Sequence, residues 1–137
     1  MRLITTLLAA LTLSAAAPAF GFDADARQVA NKADRLANAA ADLADVAYSR
    51  GRVLLANLAD DVRREAVELA DVAFWASNRR GDVDQYIRPE WLDVRDNFVE
   101  LRTRWQEIRP NVQSADLRQA FQATRDRFQV LRDEIRE

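Results

Sequence analysis

Apolar residues recur along this chain at alternating steps of four and three positions, in four stretches separated by a few Gly and Pro. Such spacing places one stripe of residues on a single helix face. In the first stretch the stripe is Val29, Ala33, Leu36, Ala40, Leu43 and Ala47. It predicts a helix over about 23–49. Asp23 and Asp25 suit its N-terminal end, Arg50 suits its last turn, and Gly51 stops it. The second stretch carries Leu55, Leu58, Val62, Leu69, Val72 and Ala76, widened by Ala59, Ala66 and Ala73. It predicts a helix over about 52–78, with Arg79, Arg80 and then Gly81 after it.

The third seam is Trp91, Val94, Phe98, Leu101, Trp105 and Ile108, a helix over about 89–108 that Pro110 ends. Pro89 suits its first position. Asp82-Val83-Asp84-Gln85 has the spacing of a capping box. Only a short turn is expected there, because a proline drives the residue before it, Arg88, out of the helical region. The fourth seam, Leu117, Phe121, Thr124, Phe128, Leu131 and Ile135, predicts a helix over about 114–136 with Ser114 as N-cap. No stretch sustains the period-two alternation of a strand.

Short connections between long helices favour antiparallel neighbours. The expected fold is all-α, an antiparallel up-down-up-down four-helix bundle. The first two helices offer mostly Ala and Leu, and the last two offer aromatics, so small faces can oppose large ones. Thr124 is the polar exception in the seams, with a hydroxyl able to bond back within its own helix. The alternative is one unbroken helix through Gly51, since a helical Gly costs only about 1 kcal/mol.

A repeat bears on that choice. "LADVAY" begins at Leu43 and "LADVAF" at Leu69, and "VANKAD" at Val29 matches "LANLAD" at Leu55 with the same offset of 26. On one straight helix this offset turns the copies roughly 80° apart. They cannot then share a face. A hairpin broken at Gly51 lets each copy turn Leu and Val inward and keep Asp45 and Asp71 toward water. The repeat therefore reads as a copied packing segment.

The N-terminus changes the picture of where the chain resides. Arg2 precedes an apolar run from Leu3 to Ala17, too short to span a bilayer, followed by Ala17-Pro18-Ala19. This is the pattern of a secretory signal peptide over 1–19, cut after Ala19. It leaves 20–137 as a single helical-bundle domain, bacterial and periplasmic or secreted. There is no Cys, hence no disulfide and no lipid-modified cysteine after the leader. The formal net charge is −2 with both signs interleaved, and no basic stripe suits nucleic acid. Interleaved charges also lack the basic polar face of a membrane-surface helix. Lys32 is the single Lys; every other basic side chain is Arg.

Candidate chemistry is narrow. With no His and no Cys, triads, zinc sites and thiol catalysis lack their residues. Haem has no good axial ligand, and no loop has calcium-binding spacing. The reading assigns no catalytic residue, no metal and no cofactor. Asp61-Val62-Arg63-Arg64-Glu65 resembles the D-x-x-R-E stretch of the helical chorismate mutases, some of them secreted. Val46-Ala47 is similar to the stretch before their essential Lys, with Arg50 in its place, and the likeness covers about twenty residues. It implies, as one alternative, a small all-helical enzyme of that type; another is a self-assembling envelope protein.

The main expectation is a non-catalytic protein acting by protein–protein interaction, its partner another envelope protein or a second copy. In the bundle, the end of the second helix meets the start of the third. That junction gathers Trp75, Arg79, Arg80, Tyr86, Arg88 and Trp91, residue types enriched at binding hot spots.

Overall fold

The computed structural model describes residues 25–79 and 84–135. The expected leader, Asp23, the Asp82–Val83 part of the capping box, Arg80 and Gly81 lie outside them. The chain is all-α. Its long helices are α1 (Ala26–Ser49), α2 (Val53–Ala76), α3 (Asp84–Ile108) and α4 (Ala115–Ile135). A single 3-10 turn, Arg109–Asn111, follows α3. No strand occurs among the described residues. None of these helices is long and apolar enough to cross a membrane.

Local chemistry explains the ends. Asp25 caps α1 by accepting the N–H of Arg27 at 2.9 Å. Gly51, with φ 75°, stands in the left-handed region just beyond the C-terminus. Around it the N–H of Arg52 reaches the carbonyl of Ala47 at 2.8 Å, and that of Gly51 reaches Tyr48 at 3.0 Å. This pair of bonds is the Schellman closure, which satisfies carbonyls that the helix leaves over. The chain therefore breaks at Gly51, and the single long helix is excluded. Ser114 caps α4 as expected, its hydroxyl accepting the N–H of Leu117 at 3.3 Å.

The start of α3 differs from expectation. Pro89 does not open the helix; it lies inside it, one and a half turns after Asp84. Ile87 is fully buried and extends the seam by one turn, Ile87–Trp91–Val94. A proline at this depth deprives one carbonyl, that of Gln85, of its helical donor, and Gln85 is exposed to water. Burying Ile87 outweighs that loss. Arg88 and Asp84 also pair across the first turn at 3.3 Å.

Each helix buries a stripe on the four–three step. In α2 the stripe is Leu55, Ala59, Val62, Ala66, Leu69, Ala73 and Ala76. Leu58 and Val72, which the sequence reading placed in the stripe, sit half-buried at its border. α1 packs closely on α2 and on α4, and α2 on α3. The α3 and α4 backbones stay further apart, and aromatic rings fill the interval. Trp91 stacks on Phe128 at 5.5 Å between centroids, Phe98 on Phe128 at 4.0 Å, and Trp105 on Phe121 at 4.7 Å. Residue numbers rise along α3 as they fall along α4, so these two run antiparallel.

Charged pairs tie α1 to α4 near both of their ends. Lys32, the chain's single Lys, meets Glu134 at 2.5 Å, and Arg50 meets Asp116 at 2.6 Å. Between them the Thr124 hydroxyl shares its proton between Ala120 of its own helix, at 2.9 Å, and Ala39 of α1, at 3.2 Å. Thr124 is thus the one polar side chain buried among the described residues, and it is satisfied across the helix pair.

Candidate functional site

The end of α2 is shaped by the last residues of its stripe. Ala73 and Ala76 point inward, so Phe74 and Trp75 must point outward. Ser77 and Asn78 both donate side-chain hydrogen bonds to the Phe74 carbonyl, at 2.6 and 3.3 Å, and hold the helix end. Across the junction, the first turn of α3 presents Tyr86 on its exposed side because Ile87 takes the buried one.

These constraints bring three of the expected residues into contact. Trp75 and Tyr86 meet edge to face, with centroids 4.9 Å apart and planes at 81°. The Arg79 guanidinium lies over the Trp75 ring at 4.2 Å. Both rings remain about two-fifths exposed, 41% for Trp75 and 42% for Tyr86. Arg88 lies on the same turn as Tyr86 but is engaged with Asp84. Arg80 lies outside the described residues. Trp91 is fully buried against Phe128 and belongs to the core rather than the surface, its indole N–H without an acceptor among the described residues.

Phe74 and Arg27 were missed. Phe74 is 56% exposed, and the Arg27 guanidinium of α1 covers it at 5.6 Å. The signal was present in the repeat. Tyr48 and Phe74 hold the same place in the two copies, and both face water, as Asp45 and Asp71 do. The cluster therefore joins α1, α2 and α3 at one end of the molecule, two cation–π contacts flanking exposed rings.

A second cluster was also missed. Glu65 and Glu68 of α2 meet Glu90 of α3, with one carboxylate oxygen from each lying within 4.8 Å of the others. The three are close enough to hold a cation. Burial first, then the charges of Glu68 and Asp93, hold the Glu65 and Glu90 carboxyls above the ordinary carboxylate range. The spacing i, i+3 in α2 was legible; the approach of Glu90 depends on the register of α3 against α2.

The mutase-like stretch lies on the outside of α2. Arg64 is exposed and bonds Asp60 at 2.9 Å and Asp61 at 2.5 Å, while Val62 points into the core. Compared with family models, with curated proteins and with solved structures, the chain matches none.

Proposed function

We propose that this chain is a non-catalytic helical protein of the bacterial envelope that works by binding another protein. In this reading the four helices form an up-down-up-down bundle behind a signal peptide cut after Ala19, and the partner docks on the Phe74–Trp75–Tyr86 end. The observation that carries the reading is the exposed Trp75, set edge-on to Tyr86 and covered by Arg79. Rigid aromatic rings and arginine supply large contact area at low entropic cost, which is what protein partners select. Preorganisation by Ser77 and Asn78 reduces the cost further.

Two observations favour this over the alternatives. The Ala-rich faces of α1 and α2 are buried within the molecule, which removes them as a surface for self-assembly. Arg64 is exposed on the outside of α2 and committed to Asp60 and Asp61. The test places a photoreactive residue at Tyr86 and irradiates the chain in its native envelope fraction. One specific adduct is expected, lost in Trp75→Ala/Arg79→Ala and unaffected by a control photoreactive residue at Gln119. Equal labelling from Gln119, or labelling that survives the double substitution, overturns the assignment.

A further inference from the structure

Far from the aromatic end, about 28 Å along α3 from Tyr86 at ~1.5 Å per residue, a second feature stands out. An open groove of about 600 Å³ lies between the C-terminal half of α3 and the N-terminal half of α4. It exists because the α3 and α4 backbones are held apart by aromatic rings. Its floor is the Trp105–Phe121 stack, with planes only 11° apart. Its walls carry Arg102, Arg109, Arg118 and Arg125, and no carboxylate lines it.

The arrangement is written twice in the sequence. Arg102, Trp105, Gln106 and Arg109 follow the spacing i, i+3, i+4, i+7, and Arg118, Phe121, Gln122 and Arg125 repeat it. Each set is one helix stripe, aromatic at the centre and arginine at both ends. The antiparallel register that pairs Trp105 with Phe121 sets Arg102 toward Arg125 and Arg109 toward Arg118. A cationic pair thus stands at each end of an aromatic floor. In a chain of net charge −2, four arginines converge without acidic compensation inside the groove.

Their bonding leaves donors available. Arg118 donates to the Val112 carbonyl, which fixes that side chain at the rim. Arg125 lies 3.7 Å from the neighbouring Asp126, and its Nε–H is buried without an acceptor among the described residues. Neither Arg102 nor Arg109 has an ion-pair partner among the described residues. Guanidinium forks match the planar edges of carboxylate and phosphate groups, and an apolar floor favours a flat organic body. The volume is that of small-molecule sites.

We infer that this groove binds a small anion with a flat apolar body, a phosphate or carboxylate carried on an aromatic or similar ring. The acid group sits between an arginine pair, the ring lies along the Trp105–Phe121 edge, and Gln106 and Gln122 offer amide contacts at the rim. The site is independent of the protein-binding end. A soluble ligand suits it better than a lipid surface, because both signs of charge interleave on the exposed faces of the same helices, Glu107 and Asp126 among them.

The test is calorimetric titration of the purified chain with 1-naphthyl phosphate, inorganic phosphate, 1-naphthol and phosphatidylglycerol vesicles. Saturable one-to-one binding of 1-naphthyl phosphate is expected, at least about tenfold tighter than either phosphate or naphthol alone. Arg102→Gln/Arg109→Gln should weaken it by about tenfold or more, with an unchanged circular-dichroism melt, since each charge-assisted bond is worth about that much. Absence of saturable binding, equal affinity in the double variant, or equal affinity for bare phosphate each overturns the proposal. Vesicle binding that needs Arg102 and Arg109 also overturns it, in favour of a membrane surface. Should the double variant melt early, Arg102→Lys/Arg109→Lys keeps the charge and removes the fork; undiminished binding there counts against the site.

Discussion

Single residues decide where this chain turns and how it answers to pH. Gly51 stands at φ 75° with nothing within 4 Å of where a Cβ would lie, so Gly51→Ala tests backbone strain alone. A loss of about 1 kcal/mol in urea unfolding is expected. A neutral result would mean that the turn relaxes to another shape. Glu90 answers to pH through its burial first, and then its crowding by Glu68, Asp93 and Glu65. Its folded-state pKa is raised, so the native chain holds that proton more tightly than the unfolded one. Ionisation therefore costs stability, a penalty absent below about pH 4 and complete above the raised pKa. Glu90→Gln should raise the melting temperature at pH 7, and the gain should vanish as the pH falls below about 4. Asp116 runs the other way. The Arg50 and Ser114 hydrogen bonds hold its carboxyl at about 2, so its stabilising share is present above the ordinary carboxylate pKa and disappears as the pH falls through about 2. A gain from Glu90→Gln that persisted unchanged at pH 3 would show that the buried, crowded charge is not its source.

Elements pack here in two contrasting ways. α1 and α2 pack closely, and their buried stripes are rich in alanine, Ala33, Ala40, Ala59, Ala66 and Ala73 all fully buried, small enough for backbones to approach closely. α3 and α4 meet through stacked rings, and their backbones stay apart. Opposite substitutions should therefore be damaging on the two sides. Ala66→Leu forces a large side chain into a close approach and should cost about 1–3 kcal/mol or more. Phe98→Ala removes a ring stacked on Phe128 and near Phe121, and should cost about 3–5 kcal/mol. Chemical denaturation of both variants checks the contrast; a well-tolerated Ala66→Leu would show that the α1–α2 contact is looser than its burial indicates. The same spacing of α3 and α4 opens the arginine groove, so core composition and surface site have one origin.

At the scale of the whole molecule, the aromatic end and the arginine groove occupy opposite halves of α3. The two share no residue, and the aromatic core between them is common to both. Substitutions at one should leave the other intact. Trp75→Ala/Arg79→Ala is expected to retain 1-naphthyl phosphate affinity, and Arg102→Gln/Arg109→Gln to retain photo-crosslinking from Tyr86. Loss of both functions in either variant, with unchanged helical content, would point to one coupled site.

Helix number, the four–three seams, the Ser114 cap and the break at Gly51 were legible from residue order, because each depends on chemistry within a few positions. The aromatic end was half legible. Residue order groups Trp75, Arg79 and Tyr86 at one junction, while it fits Trp91 both to the core seam and to the junction, and only packing on Phe128 decides between them. The early start of α3 was not legible, since local rules place Pro89 first and only the burial of Ile87 overrides them. Phe74 under Arg27, Glu90 beside Glu65 and Glu68, and the meeting of the two arginine-flanked stripes likewise depend on register between helices. Sequence alone determined which side of each helix is apolar, because side-chain periodicity is a property of one segment. Tertiary structure decided which outward residues meet, because that is a property of pairs of segments and of the side-chain volumes that space them.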